Sequence, residues 1–107
     1  MSFVKHLEGT FKEGKREEAI KKVVDHYSEL SGKVKGFRGF ITSASLKDPK
    51  VFNMSVWETK EDMDNYYANN KEYASFLESL KPLIEHTIEN KEYEVFGFSM
   101  NKYKIIS

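Results

Sequence analysis

Apolar residues recur along the chain with two different spacings, which together predict four strands and two helical regions. Residues 3–11 and 36–46 carry apolar side chains at roughly alternate positions, as strands do. Residues 51–57 and 92–100 show the same alternation and predict the third and fourth strands. Within residues 16–30 the apolar positions fall three or four apart, so this segment is predicted to be an amphipathic helix.

The second helical region is predicted to be broken in two. Thr59 precedes Asp62 by three residues, a spacing that caps the start of a helix. Residues 69–70 interrupt the pattern, and a second run at helical spacing covers residues 73–80 before Pro82 ends it. The order strand, helix, strand, strand, helix, strand predicts an α+β class fold, a ferredoxin-like βαββαβ arrangement with an antiparallel sheet.

Both faces of this predicted sheet are apolar, whereas one face of a half-solvated antiparallel sheet is polar. The two helical regions can cover only one face. We expect the uncovered face to carry the following residues: Trp57, Val51, Phe37, Ile41 and Val95. A symmetric homodimer that packs two such faces together would bury them. Packing against the chain's own tail, residues 102–107, is the alternative.

Composition narrows the classes of function. The 107 residues are predicted to form one domain, 1–107, and their 17 basic and 17 acidic side chains cancel, which argues against nucleic acid as a partner. The chain has no cysteine, which excludes disulfides, thiolate nucleophiles and iron–sulfur clusters. No apolar run is long enough to span a membrane and no secretory signal is visible, so we expect a cytoplasmic protein.

Three segments together resemble the antibiotic biosynthesis monooxygenase domain, a member of the dimeric α/β barrel group. They are residues 12–15 (Lys-Glu-Gly-Lys), 36–40 (Gly-Phe-Arg-Gly-Phe) and 56–61 (Val-Trp-Glu-Thr-Lys-Glu). The resemblance extends over about residues 3–95. It implies a homodimer that joins sheet to sheet, with a largely apolar cavity between sheet and helices in each protomer. The family includes cofactor-independent oxygenases of polycyclic aromatics or quinols, haem-degrading oxygenases and many proteins without a known activity, so the fold does not settle function.

Asn53 and Trp57 are the leading candidate catalytic residues. They project to the same face of the third strand, with Ser55 between them. The pair resembles one in the cofactor-independent members, where an amide and an indole N–H hydrogen-bond substrate oxygens and can stabilise an oxyanion without a metal. Tyr66, on the second helical region, is predicted to contribute a hydroxyl. The alternatives are that Trp57 belongs to the core of an interface, that Asn53 satisfies a neighbouring backbone group, and that Tyr66 packs on its helix with the hydroxyl at the surface.

The remaining predicted site residues would bind the substrate: Leu7, Phe37, Ser55, Tyr67, Phe76 and His86. The three histidines are too scattered for a metal site, so neither a metal nor a cofactor is predicted. Aligned segment by segment, the Asn, Trp and His of the haem-degrading members would fall at Leu7, Tyr66 and Phe76. None matches, so haem degradation by that mechanism is not expected.

The resemblance favours cofactor-independent oxygenation of a small apolar aromatic or quinol-type molecule. A non-catalytic homodimer, either binding a small molecule or associated with stress, is the alternative. A third interpretation is a close-packed sheet face without any cavity.

Overall fold

The computed structural model describes residues 2–99 and confirms the predicted order of elements. Its strands and helices are β1 (Ser2–Thr10), α1 (Arg16–Ser28), β2 (Phe37–Ala44), β3 (Lys50–Trp57), α2 (Lys60–Asn69), α3 (Lys71–Leu80) and β4 (Glu89–Val95). A short 3₁₀ helix, Lys81–Leu83, contains Pro82 and ends the helical region. The strands pair antiparallel in the order β2-β3-β1-β4, which is the ferredoxin-like α+β fold.

Side-chain caps explain the break between α2 and α3. The hydroxyl of Thr59 accepts a hydrogen bond from the backbone N–H of Asp62, at 3.0 Å, and starts α2. Asn70 has extended backbone angles, and its side-chain oxygen accepts from the backbone N–H of Tyr73 at 2.9 Å to start α3. Its own N–H donates to the carbonyl of Tyr66, so one residue ends one helix and caps the next.

The fourth strand differs from its predicted range of 92–100. It begins three residues earlier, at Glu89, and ends at Val95. Val95 is paired with Ser2 at the end of β1, and the ladder between these two strands ends there. Phe96 and Phe98 continue the apolar alternation but are 86% and 67% exposed. Residue 100 and the predicted tail lie outside the described residues.

The prediction of which sheet face is uncovered is wrong for Trp57, Val51 and Phe37. Trp57 is fully buried against α2, with its ring 5.2 Å from that of Tyr66, and Val51 is also buried. A bulge after Phe37 shifts the alternation in β2, so Phe37 packs on Trp57 instead of facing away from the helices. Alternation separates the two faces of a strand, but it does not say which face the helices cover.

The face opposite the helices is therefore a different set of residues from the one predicted, apart from Ile41 and Val95. We call it the uncovered face, and by strand register it includes Val4, His6, Ile41, Phe52, Met54, Val56, Tyr93 and Val95. Several of these apolar side chains are well exposed: Ile41 at 43%, Met54 at 36% and Tyr93 at 51%. The helix-covered face carries Val51, Asn53, Ser55 and Trp57 of β3, together with the residues paired to them.

Candidate ligand cavity and buried hydrogen-bond chain

A cavity lies between the helix-covered face and helices α1 and α3. Its volume is about 30 Å³, or about 360 Å³ when the space open to solvent is counted. The enclosed part has room for roughly two water molecules. Most of the wall is apolar and consists of Leu7, Gly9, Phe11, Val23, Val51, Phe52, Phe76, Leu77, Leu80 and Ile88. The wall has two further members, Tyr27 and Asn53, and these are its polar side chains.

Asn53 is the polar side chain on the sheet side of the cavity. It is only 5% exposed, and its Oδ1 accepts a hydrogen bond from the hydroxyl of Thr42 at 2.7 Å. Its Nδ2 has no hydrogen-bond partner among residues 2–99. A buried polar atom left without a partner is costly and rare in folded proteins. Asn53 belongs to the cavity wall, so this unpaired amide is carried by a residue beside the space that a ligand would enter.

A chain of hydrogen bonds runs from the sheet to α1. The indole N–H of Trp57 donates to Ser55 Oγ at 2.8 Å, and Ser55 Oγ lies 2.6 Å from the hydroxyl of Tyr67. The Tyr67 hydroxyl lies 2.9 Å from that of Tyr27. Ser55, Trp57 and Tyr27 are all fully buried. The chain thus links β3, α2 and α1 and ends at a residue of the cavity wall.

The tyrosine hydroxyls in this chain remain protonated at neutral pH. Burial raises the pKa of Tyr27 well above its ordinary value, and the neighbouring Tyr67 raises it further. Burial also raises the pKa of Tyr67, to about 12, although hydrogen bonds with Ser55 and Tyr27 oppose the shift. Both groups can donate hydrogen bonds but are poor general bases.

Tyr66 has a different partner, the side chain of His26. Its hydroxyl lies 2.5 Å from Nε2 of His26, whose ring stacks on Phe76 at 4.0 Å between centroids. Burial lowers the pKa of His26, and the carboxylate of Glu72 partly opposes this. Burial raises the pKa of Tyr66. The pair lies within the helix layer, and neither residue belongs to the cavity wall.

The predicted site residues fall into three groups in the structure. Asn53, Leu7 and Phe76 line the cavity. Ser55, Trp57 and Tyr67 form the hydrogen-bond chain. The remaining three do neither: Tyr66 pairs with His26, Phe37 packs on Trp57, and His86 is exposed.

Sequence reasoning missed Tyr27 and Thr42. Tyr27 lies at an apolar position of the helix predicted over residues 16–30, and nothing in a helical stripe distinguishes a tyrosine whose hydroxyl has a partner 40 residues away. Thr42 faces Asn53 because the register of β2 with β3, continuous from Gly39 to Ala44, pairs the two residues. A threonine at an inward position of a strand is the signal that could have indicated a buried polar pair.

Two classes of site find no support in the described part of the chain. Residues 2–99 contain no group of three histidine, cysteine, aspartate or glutamate side chains arranged to hold a metal ion. None of the helices described here has both the length and the hydropathy required to cross a membrane.

Solved structures with this fold include enzymes. A monooxygenase from the gene ActVA-Orf6 of Streptomyces coelicolor, in complex with nanaomycin D, has a TM-score of 0.79 and 16% identity, covering 94% of this chain and 93% of that one. SnoaB, a cofactor-independent oxygenase from Streptomyces nogalater, has a TM-score of 0.72 and 15% identity, covering 91% and 95%. A conserved protein from Methanosarcina mazei has a TM-score of 0.74 and 14% identity, covering 87% and 91%. At these identities the likeness shows the fold alone.

A family match covers most of the chain. Among curated proteins, none matches this sequence significantly. Residues 5–94 match the family described as the stress responsive A/B barrel domain, which supports the resemblance to α/β barrel proteins seen in the sequence. The chain belongs to the stress-responsive A/B barrel domain family.

Proposed function

We propose that the protein binds a small, largely apolar molecule that carries an oxygen atom, and oxygenates an aromatic or quinol-type molecule of this kind without a cofactor. The observation that carries this proposal is the unpaired Nδ2 of Asn53 in an otherwise mostly apolar cavity wall. Binding sites for small molecules have this character, with a few polar groups fixing the orientation of an apolar ligand.

Each predicted catalytic residue has a role in this proposal. Asn53 donates to an oxygen of the ligand and stabilises negative charge that develops there. The indole N–H of Trp57 donates its hydrogen bond to Ser55 Oγ. Trp57 therefore acts by holding the chain of hydrogen bonds in place. Tyr66 packs on the ring of Trp57 and, with His26, fixes the position of α2 relative to α1.

The proposed chemistry balances without a metal or an organic cofactor. For an anthrone-type substrate, a methylene carbon and O₂ give a carbonyl group and water. Two C–H bonds break and supply four electrons, and one oxygen atom enters the product while the other leaves as water. Donation from Asn53 to the ring ketone stabilises the enolate that reacts with oxygen.

The size of the cavity sets a requirement on this reaction. An enclosed volume of about 30 Å³ does not hold an aromatic ring. Side chains of α3 that line the cavity, such as Phe76, Leu77 and Leu80, must move for such a ligand to enter through the open side. The Streptomyces coelicolor protein of the same fold was solved with nanaomycin D, which supports a ligand role for this architecture.

The proposal includes a homodimer that joins two uncovered faces. The exposed side chains of Ile41, Met54 and Tyr93 would be buried in this arrangement, which is how two apolar sheet surfaces avoid water. His6, Phe52 and Tyr93 form an aromatic cluster there, with ring centroids 5.8 Å and 6.4 Å from that of His6. Aromatic residues are enriched in the cores of protein interfaces.

A second candidate function is ligand binding without turnover. It is favoured by the composition of the cavity wall, because none of the described residues that line it is an acid, a lysine or a histidine. A substrate that does not readily lose a proton would find no general base there. In this case the protein would bind and protect, or sense, an apolar compound.

Oxygen uptake with a panel of anthrones and quinols tests the first function. We expect consumption by the wild-type protein and a loss of about 10²-fold in Asn53→Ala, the usual effect of removing one oxyanion donor. Asn65→Ala, at an exposed asparagine of α2, is the matched control and should be unchanged. Thermal stabilisation by these compounds without oxygen uptake would support binding alone. If the compounds cause neither oxygen uptake nor thermal stabilisation, both functions are ruled out for these compounds.

A further inference from the structure

A histidine lies at the centre of the uncovered face. His6 is the middle residue of β1, and β1 is an interior strand of the sheet, between β3 and β4. By register His6 is paired with Met54 of β3 and with Lys91 of β4. Met54 and Tyr93 are exposed on the strands at either side of β1. A second copy of the chain that covers both of these side chains therefore covers His6 as well.

The side chains next to His6 on this face are aromatic or apolar. Its ring lies 5.8 Å from that of Phe52 and 6.4 Å from that of Tyr93, measured between centroids. In the single chain His6 is half-buried, so water still reaches the imidazole. In a homodimer the same ring would be enclosed between two largely apolar surfaces.

The charged groups that share this face are balanced at neutral pH. They are two acids and two bases: Glu8 of β1, Lys50 of β3, and Glu89 and Lys91 of β4. The positions of β2 on the face are uncharged: Gly39, Ile41 and Ser43. Glu8 forms an ion pair with Lys50 at 3.5 Å and lies opposite Glu89, whereas the residue directly opposite His6 is a lysine, Lys91. A proton on His6 would thus add a positive charge beside another one.

Burial in a homodimer makes the protonation of this histidine unfavourable. Histidine is the side chain whose charge ordinarily changes between about pH 5 and pH 8. A charge that is buried without a partner costs much more than a neutral ring, and two copies would bring two such charges into one interface. The single chain would therefore bind protons more readily than the dimer does, and by linkage a fall in pH shifts the equilibrium towards single chains.

We propose that His6 makes the homodimer sensitive to acid. With His6 neutral, the two uncovered faces join; with His6 protonated, the two copies separate. The inference rests on the homodimer of the proposed function and adds its regulation. The ligand cavity lies on the opposite side of the sheet, so the switch acts on assembly and not on the residues that line the cavity.

Sedimentation over a range of protein concentrations, at about pH 7.5 and at about pH 5.5, measures the dissociation constant of the dimer. For an ordinary histidine the neutral fraction falls about ten-fold for each pH unit below about 6.5, and a dimer contains two copies. We therefore expect the dissociation constant to be about 100-fold higher at the lower pH. Its logarithm should rise by nearly two for each unit at the acidic end of a pH series, which counts two protons per dimer. Circular dichroism at each pH checks that the chain stays folded.

Substitutions at the three histidines assign the effect. His6→Phe keeps an aromatic ring on the face and cannot take a proton, so its dimer should dissociate equally at both pH values. His6→Gln, which is polar and uncharged, gives the same comparison if the larger ring disturbs the packing. His86→Gln, at an exposed position before β4, and His26→Gln, in the helix layer, are the controls and should keep the full pH response.

The outcomes separate this inference from the proposed homodimer. A wild-type dimer with the same dissociation constant at both pH values would leave the homodimer in place and overturn the switch. A pH response that survives in both His6→Phe and His6→Gln would overturn the role of His6. A wild-type protein that is a single chain even at about pH 7.5 would overturn the homodimer and the switch together.

Discussion

The two faces of the sheet both depart from the pattern of an ordinary half-solvated sheet. The helix-covered face, although mostly apolar, carries the buried polar side chains of Asn53 and Ser55, and the half-buried Thr42 donates to Asn53. The uncovered face presents apolar side chains such as Met54 and Ile41 to its surroundings. Polar groups are thus placed where a ligand can satisfy them, and apolar groups where a second protein surface can cover them. The contrast predicts a ligand on one side of the sheet and a partner on the other.

The largest effect is expected from a charge on the uncovered face. Met54→Glu should weaken the homodimer by at least about 100-fold, because each of two symmetry-related copies would bury an unpaired carboxylate. Sedimentation velocity at micromolar concentration measures the change. Leu46→Glu is the matched control, since Leu46 is fully exposed in the turn between β2 and β3. A wild-type protein that sediments as a single chain would contradict the assignment of this face.

Trp57 and Val56 are adjacent in β3 and lie on opposite faces of the sheet, so alanine substitutions at these two positions compare the stability that each face provides. Trp57→Ala should lower the free energy of unfolding by about 3–5 kcal/mol, because it empties a fully buried site. It also removes the donor to Ser55. Val56→Ala, on the uncovered face, should lower the free energy of unfolding by much less. This comparison is made in a protein kept monomeric by Met54→Glu. Denaturation by urea measures both, and equal losses would mean that the faces are not distinguished by burial.

The polar pair on the helix-covered face can be replaced as a unit. The double variant Thr42→Val with Asn53→Val removes both partners of one hydrogen bond together with the unpaired Nδ2. Its stability should stay within about 1 kcal/mol of the wild-type value, since replacing both partners by apolar groups is often nearly neutral. Its affinity for a small aromatic ketone such as acetophenone should fall by about ten-fold, because the amide donor of Asn53 is removed. A large loss of stability would indicate that Asn53 is retained for folding and not for a ligand.

The smallest expected effect is the pH dependence of stability that His26, in the helix layer, causes. Burial lowers the pKa of His26 below its ordinary value of 6.5, so the unfolded state binds a proton more readily than the folded state. Stability should therefore fall as pH decreases through about 6.5 towards the folded-state pKa, and Glu72 moderates the change. Urea denaturation from about pH 7.5 to about pH 5 measures it. His26→Gln should reduce this pH dependence of stability. If the variant keeps the pH dependence of the wild-type protein, other titratable groups cause it.

Local sequence signals determine more of this fold than of its site. The caps at Thr59 and Asn70 act within a few residues, so the break between α2 and α3 could be predicted. Alternation identified Asn53, Ser55 and Trp57 as sharing a face. It could not assign that face to the helices, because both sides of β3 are rich in apolar residues.

The contacts that complete the site join distant parts of the chain. Tyr27 meets Tyr67 across 40 positions, and His26 meets Tyr66 across 40. Thr42 reaches Asn53 because the register of β2 with β3 pairs the two residues. Such pairings depend on how helices pack on the sheet and on strand register. Neither is encoded in a local pattern of apolar and polar residues.

The most direct test of the account is to locate a bound ligand on one face of the sheet. Nuclear Overhauser effects between protons of acetophenone and the protein should connect the ligand to the side-chain amide of Asn53 and to the ring of Tyr27. The same spectra should show no contact with Met54 or Ile41, which the second copy would cover. Contacts of the ligand with the uncovered face, and none with Asn53, would contradict the assignment of the ligand to the helix-covered face and of the partner to the uncovered face.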